Sequence, residues 1–265
     1  MDELTGKQIG PYALAERIGR GGMSEVYRSE DEDGTAVALK LLRIDPAQED
    51  NEVFLVRFER EAQIILDLQH PNILSILDYG QASGYAYIVT PYIAGGTLAD
   101  VIRRGPVELV QAARWLVQIA AALDHAHAMH IVHRDLKPSN VLLDEAGKPF
   151  LMDFGIARFS NMVRDLTETG SVLGTPAYMA PEQWRAEPLN ARTDVYGLAV
   201  MAFLMLTTHT PFEADTPHAL MYRHLDEAPT PLARYLPEVP PGLEAVIQKA
   251  LTKSAAGRHA SAGAS

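Results

Sequence analysis

Five side chains stand out by type and spacing. His133-Arg134-Asp135-Leu136-Lys137-Pro138-Ser139-Asn140 is followed by Asp153-Phe154-Gly155, and far upstream Lys40 closes Val37-Ala38-Leu39-Lys40. Phosphoryl transfer from ATP asks for such a set: a carboxylate at the nucleophile, carboxylate and amide oxygens for Mg2+, and cations on the phosphates. Asp135 would orient a substrate hydroxyl and accept its proton. Asn140 and Asp153 offer hard oxygen ligands to divalent ions, Lys40 suits the ATP phosphates, and Lys137 adds charge at the transferring group.

These groups need elements to carry them. Residues 12–42 read as strand, glycine-rich turn, strand, Asp33-Gly34 turn and strand, the last alternating Val37, Leu39 and Leu41, which predicts an antiparallel meander. The first turn is Gly19-Arg20-Gly21-Gly22-Met23-Ser24-Glu25-Val26, whose glycines let backbone N–H groups approach phosphates closely. A dinucleotide-binding fold would need a helix directly after the glycines, whereas Glu25-Val26-Tyr27-Arg28 continues as strand. Residues 53–68 predict a helix, with Phe54, Phe58, Ile65 and Leu68 on one stripe. Glu61 falls on that stripe, and a carboxylate on a buried face predicts a cationic partner.

Residues 87–93 read as a strand running into a linker, after which Gly95-Gly96 and Thr97-Leu98 open a helix. Further helices are predicted over 111–130, 195–206 and 243–251, the second apolar all round as a fully buried helix would be, and 212–225 looks like another that leads into a proline-rich turn. Leu220, Met221 and Tyr222 could be core or a docking or dimer surface, and composition favours core. His125, His127, His130 and His133 are close in sequence, but their spacing does not give an i,i+4 ligand pair, so His133 reads as a core residue.

The bulk numbers frame this. At 265 residues the chain is long enough for one large or two coupled units, and 47% hydrophobic with 22% charged residues is a globular composition. A formal net charge of -11 opposes tight binding to nucleic acid or anionic lipid. The absence of cysteine excludes a disulfide framework and a thiolate zinc site and fits a reducing, cytoplasmic setting. Met1-Asp2-Glu3-Leu4 lacks the pattern of a signal peptide, and the apolar run over 195–206 is too short to span a bilayer.

With seven motifs in the required order, the chain resembles a bacterial eukaryotic-type (Hanks-type) serine/threonine protein kinase catalytic domain over residues 12–258. The resemblance implies one α+β catalytic domain over 1–265. Its N-lobe, an antiparallel sheet with one regulatory helix, runs to about 90, its hinge over about 91–95, and a mainly helical C-lobe follows, with MgATP (Mn2+ as an alternative ion) in the cleft. It implies that Ile18, Gly19, Gly21, Gly22, Val26, Ala38, Lys40, Thr90, Pro91, Ile93 and Leu142 surround ATP. Thr90 would be a small gatekeeper, and the Pro91 carbonyl and Ile93 amide would pair with adenine. Ser24 replaces the third glycine of the family pattern, and Pro91 replaces a common acidic residue while keeping the carbonyl.

The same resemblance pairs Glu61 with Lys40, Glu182 of Ala180-Pro181-Glu182 with Arg258, and Asp194 with the backbone of the catalytic loop. It stacks His133 and Phe154 with Ile65 and Ile76, and has Thr175 shape the pocket near Asp135 and Lys137. Gly155 completes the second motif. Lys137 and Gly174-Thr175-Pro176 imply Ser or Thr acceptors on proteins, and Arg134 implies a dock for a phosphate on Thr167 or Thr169. Transient homodimers are expected during autophosphorylation. The family usually carries one more amphipathic helix where 260–265 stand here; either a linker, membrane anchor and sensor domain continue the natural protein, or the kinase is compact and cytoplasmic.

Overall fold

The computed structural model describes residues 4–21, 24–44, 51–154 and 176–264. It divides into two compact units, one of residues 1–94 and one holding the described residues from Gly95 onward.

The first unit opens with a two-stranded hairpin, β1 (Gln8–Ile9) and β2 (Tyr12–Ala13), which sequence periodicity does not announce. A five-stranded antiparallel sheet follows: β3 (Glu16–Arg20), β4 (Ser24–Glu30), β5 (Ala36–Arg43), β6 (Asp78–Ala82) and β7 (Tyr85–Pro91), in the order β3-β4-β5-β7-β6. The β4–β5 turn is fixed by Asp31, whose Oδ1 accepts from the N–H groups of Asp33 and Thr35.

Alternation along β5 sorts its side chains. Val37, Leu39 and Leu41 are buried on one face with Tyr27, Tyr87 and Val89, under Leu4, Ile9 and Leu14 of the N-terminal segment. That apolar cover explains why the short hairpin exists. Between β5 and β6 lies α1 (Asn51–Leu66), which buries Phe58, Ala62 and Ile65.

The second unit is helical: α2 (Leu98–Ile102), α3 (Leu109–Ala128), α4 (Pro181–Trp184), α5 (Ala191–Thr207), α6 (Pro217–Asp226) and α7 (Leu243–Ala250), with a small hairpin of β8 (Val141–Leu143) and β9 (Pro149–Leu151). Caps set the helix starts. Thr97 and Asp100 form a reciprocal capping box at α2, Glu108 accepts from the N–H groups of Val110 and Gln111 at α3, and Asn190 with Thr193 caps α5.

Helix α5 is the axis of this unit. From Thr193 to Thr207 every residue is buried except Leu204. Helix α3 lies against α5 and is tied to the β8–β9 turn by the Trp115 indole N–H donating to Gly147 O at 2.7 Å. The helix expected over 212–225 begins only at Pro217, because Phe212 is buried in the loop before it and Thr216 supplies the cap. Of the expected core trio there, Leu220 is buried while Tyr222 is exposed. The chain reaches Ala264 as a 3-10 turn over Ala262–Ala264, bound through Asp124, which accepts from the N–H groups of Ala262 and Gly263.

Candidate active site

In the first unit, register decides which side chains share a surface. Val26 lies opposite Lys40, and Ala38 lies opposite Thr90, so all four occupy the sheet face opposite the Leu39 core and are half-buried. A β-bulge between Arg17 and Gly19 leaves Ile18 exposed, next to the glycine turn. Within that turn Gly21 donates its N–H to Ser24 O at 2.7 Å, and a Cβ there would come within 3.0 Å of Ser24 Oγ. The main-chain carbonyl of Ser24 thus helps to close the turn. Pro91 ends β7 and Ile93 follows it, both half-buried, while Glu61 is carried by α1 beside Ala62. Gly22 lies outside the described residues.

In the second unit the loop over 133–140 is held from three sides. The Asp194 carboxylate accepts from His133 N–H at 2.8 Å and Arg134 N–H at 2.9 Å. It also accepts from the His127 imidazole, whose Nε2 is 2.7 Å away and must therefore carry the proton. Arg134 adopts a left-handed backbone with φ of 71°, a costly conformation for a non-glycine residue. The surroundings over-determine it: Asp194 takes its N–H, and the Gln183 amide donates to its carbonyl at 2.7 Å.

His133 is almost fully buried, its ring centroid 4.7 Å from that of Phe154. Its Nε2 lies 2.9 Å from the Met152 carbonyl, which can only accept, so the neutral ring leaves Nδ1 to accept from Asp135 N–H at 3.3 Å. The loop also leans on α5, where Leu136 packs so closely that a Cβ on Gly197 would come within 3.3 Å of Leu136 Cβ.

This frame brings three of the expected residues together. Lys137 Nζ donates to Asp135 Oδ2 at 2.6 Å, and the Asn140 amide donates to Asp135 O at 2.8 Å and Oδ2 at 3.0 Å. Two donations fix the Asn140 amide with its NH2 toward Asp135, which directs Oδ1 elsewhere. Lys137 and Asp135 stay 18% and 24% exposed, within reach of a substrate. Asp153 sits after β9 with φ of 64°, and Leu142 is a half-buried apolar position on β8. Leu142 is fixed by a bridge to Thr97, and a Cβ on Gly95 would collide with Leu143 O, so glycine is needed for that approach.

Below the loop, Glu182 of α4 meets Arg258 in a buried two-pronged pair, with Nη1–Oε1 at 2.7 Å and Nη2–Oε2 at 2.8 Å. Thr193 adds a hydroxyl donor to Glu182 Oε1 at 2.9 Å. Burial by itself would raise the Glu182 carboxyl, but the Arg258 and Thr193 bonds outweigh it and hold it below the usual carboxylate range. Gly155, Thr167, Thr169 and Thr175 lie outside the described residues.

Sequence reasoning missed His127 and Gln183. His127 is one of several histidines at the end of an alanine-rich helix, and no periodicity separates it from its neighbours. Gln183 follows the Ala180-Pro181-Glu182 motif immediately, and that adjacency was the available signal.

The donor set fits a nucleotide with a divalent ion. An amide oxygen and one carboxylate are hard ligands that leave room for phosphate oxygens, the usual mode for Mg2+. Among the described residues no group of three or more His, Cys, Asp or Glu side chains makes a protein-only metal site.

Comparison with known proteins agrees with this chemistry. The model for the protein kinase domain matches residues 12–262. The chain is 42% identical over 262 residues to the serine/threonine-protein kinase PknD of Mycobacterium tuberculosis, covering 98% of this chain and 39% of that protein. It is 42% identical over 263 residues to the serine/threonine-protein kinase PrkC of Bacillus subtilis, covering 98% and 40%. The chain thus spans well under half the length of these relatives. The crystal structure of the Mycobacterium tuberculosis PknI kinase domain superposes with a TM-score of 0.76 at 26% identity, covering 100% of this chain and 96% of that one. With the α+β architecture, the Asp135 cluster and these matches in agreement, the chain belongs to the protein kinase domain family.

Proposed function

We propose that the chain transfers the γ-phosphoryl group of ATP, with a divalent ion, to serine or threonine hydroxyls of proteins. The observation that carries this is the Asp135 carboxylate, gripped at Oδ2 by Lys137 and Asn140 on a loop that Asp194 and Gln183 hold rigid. Oδ1 remains to orient the acceptor hydroxyl and take its proton. Lys137, already at 2.6 Å from Asp135, can swing its ammonium onto the transferring group as charge builds there.

Asn140 Oδ1 and the Asp153 carboxylate would hold Mg2+ (or Mn2+), and Lys40 the phosphates. When bound, the metal–nucleotide supplies the phosphoryl group and neutralises its charge. Val26, Ala38 and Thr90, the partly exposed side chains around Lys40, offer the flat apolar surface an adenine needs, joined in this reading by Ile18, Leu142 and the backbone of Pro91 and Ile93. Glu61 would position Lys40.

Transfer from γ-labelled ATP to a generic protein, and to the chain itself, tests the reading. Label is expected with the chain as given and is lost in Asp135→Asn; label that persists in that variant overturns the role of Asp135. Thr167 and Thr169 are the proposed autophosphorylation positions, with Arg134 the phosphate dock, and intact mass after incubation with ATP reads them. A phosphate count unchanged on replacing both threonines by alanine rejects them.

A further inference from the structure

A cavity of about 570 Å³ opens in the second unit beside the catalytic loop. Pro138, the residue after Lys137, forms one wall, Tyr178 another, and Ile102, Arg103 and Arg104 at the end of α2 a third. Its floor is Leu204, the one residue of α5 between Thr193 and Thr207 that is not buried, because it faces this opening.

The electrostatics are one-sided. Among the described residues no carboxylate lines the cavity, on a chain whose net charge is -11. Arg103 shares its charge with Asp100 at 2.8 Å, whereas Arg104 makes no ion pair among the described residues. Burial pushes the Tyr178 hydroxyl up to about 12, so it remains a neutral donor under ordinary conditions. Guanidinium and phenol donors above an aliphatic floor match a side chain with methylenes ending in a carboxylate.

We propose that this cavity receives a Glu or Asp side chain lying a few residues from the acceptor hydroxyl of a protein substrate, with Arg104 as the specificity-determining cation and Leu204 under the stem. The proposal rests on the kinase reading for its substrate, since a chain bound beside Pro138 is one presenting its hydroxyl to Asp135.

The test uses fluorescent peptides of one sequence with a fixed central threonine, in which each flanking position carries Glu, Ala or Lys in turn. Binding is read by anisotropy and transfer by kcat/KM, for the chain as given and for Arg104→Glu, an exposed substitution. At one position Glu should exceed Ala by about fivefold in both readouts, the scale of an exposed charge pair. The advantage should shrink with added salt, and Arg104→Glu should prefer Lys at that same position.

A flat profile accompanied by transfer overturns the cavity assignment and leaves the kinase reading standing. So does a Glu preference that survives Arg104→Glu. A Glu preference in binding that inverts with Arg104→Glu, without any transfer, supports the cavity and overturns the kinase reading. Peptides that neither bind nor react overturn both.

Discussion

Two ionic assemblies in the helical unit, Asp135 with Lys137 and Glu182 with Arg258, are built on opposite principles. Asp135 and Lys137 are about a fifth exposed, and their carboxylate keeps one oxygen uncommitted among the described residues. Glu182 and Arg258 are 6% and 0% exposed. There all five guanidinium N–H groups are used, two on Glu182 and three on the carbonyls of Thr252, Arg192 and Lys253. The first pair keeps its charge available for a reaction; the second has every guanidinium proton engaged in holding the chain in place. The lesson is that satisfaction of donors and acceptors, more than charge, separates a reactive pair from a structural one.

The sharpest test removes one charge from each. Asp135→Asn should lower phosphoryl transfer by roughly 10^3-fold or more while shifting stability by under about 1 kcal/mol, because its site is solvated. Arg258→Ala should do the reverse, costing about 3–5 kcal/mol by stranding Glu182, a fall of roughly 10 °C in Tm. If Asp135→Asn destabilised the fold as much as Arg258→Ala, the contrast between the two pairs would collapse.

Acid should reach the structural assembly through its neighbour. His224 is fully buried against Tyr196, 2.8 Å from the phenol oxygen. Burial, aided by the Lys253 charge, pushes its imidazole down to about 3. A histidine kept neutral in the fold but free to protonate near pH 6.5 when unfolded stabilises fully above that pH. The contribution drains away at up to about 1.4 kcal/mol per pH unit as pH falls from about 6.5 toward 3. Glu182, with its folded value depressed, adds loss only below about pH 4.3. Melting curves should therefore decline well before carboxylates titrate, and His224→Phe should flatten that early limb; an unchanged slope removes His224 from the account.

The smallest effect concerns the edge of this assembly. Lys253 donates to the carbonyls of Arg223 and His224 at the end of α6, each at 2.8 Å, and lies 4.1 Å from the Phe212 ring centroid. Lys253→Met should cost about 1 kcal/mol, read in denaturant titrations. No loss would mean the buried pair needs no rim.

Much of this was legible beforehand, for identifiable reasons. Asp135, Lys137 and Asn140 lie within six consecutive residues, so their meeting needs only a tight loop. The all-apolar run around Val200 could be nothing but an interior helix. Glu182 and Arg258, 76 residues apart, came from family resemblance; no local pattern joins them. What was hidden depends on tertiary placement: His127 matters only because α3 lies against α5 near Asp194, and the β1–β2 hairpin exists only because Leu39 and its neighbours need an apolar cover. In sequence Leu204 reads as one more core leucine; only the cavity it lines sets it apart from its buried neighbours between Thr193 and Thr207.

The His127 bond also makes the catalytic loop observable without any substrate. An imidazole N–H donated to a carboxylate at 2.7 Å, on a ring only 9% exposed, exchanges slowly with water and resonates far downfield of ordinary amides. Because the same carboxylate holds His133 and Arg134, that one proton signal reports in solution whether the loop is clamped, and its disappearance would time the loop's release during unfolding or ligand exchange.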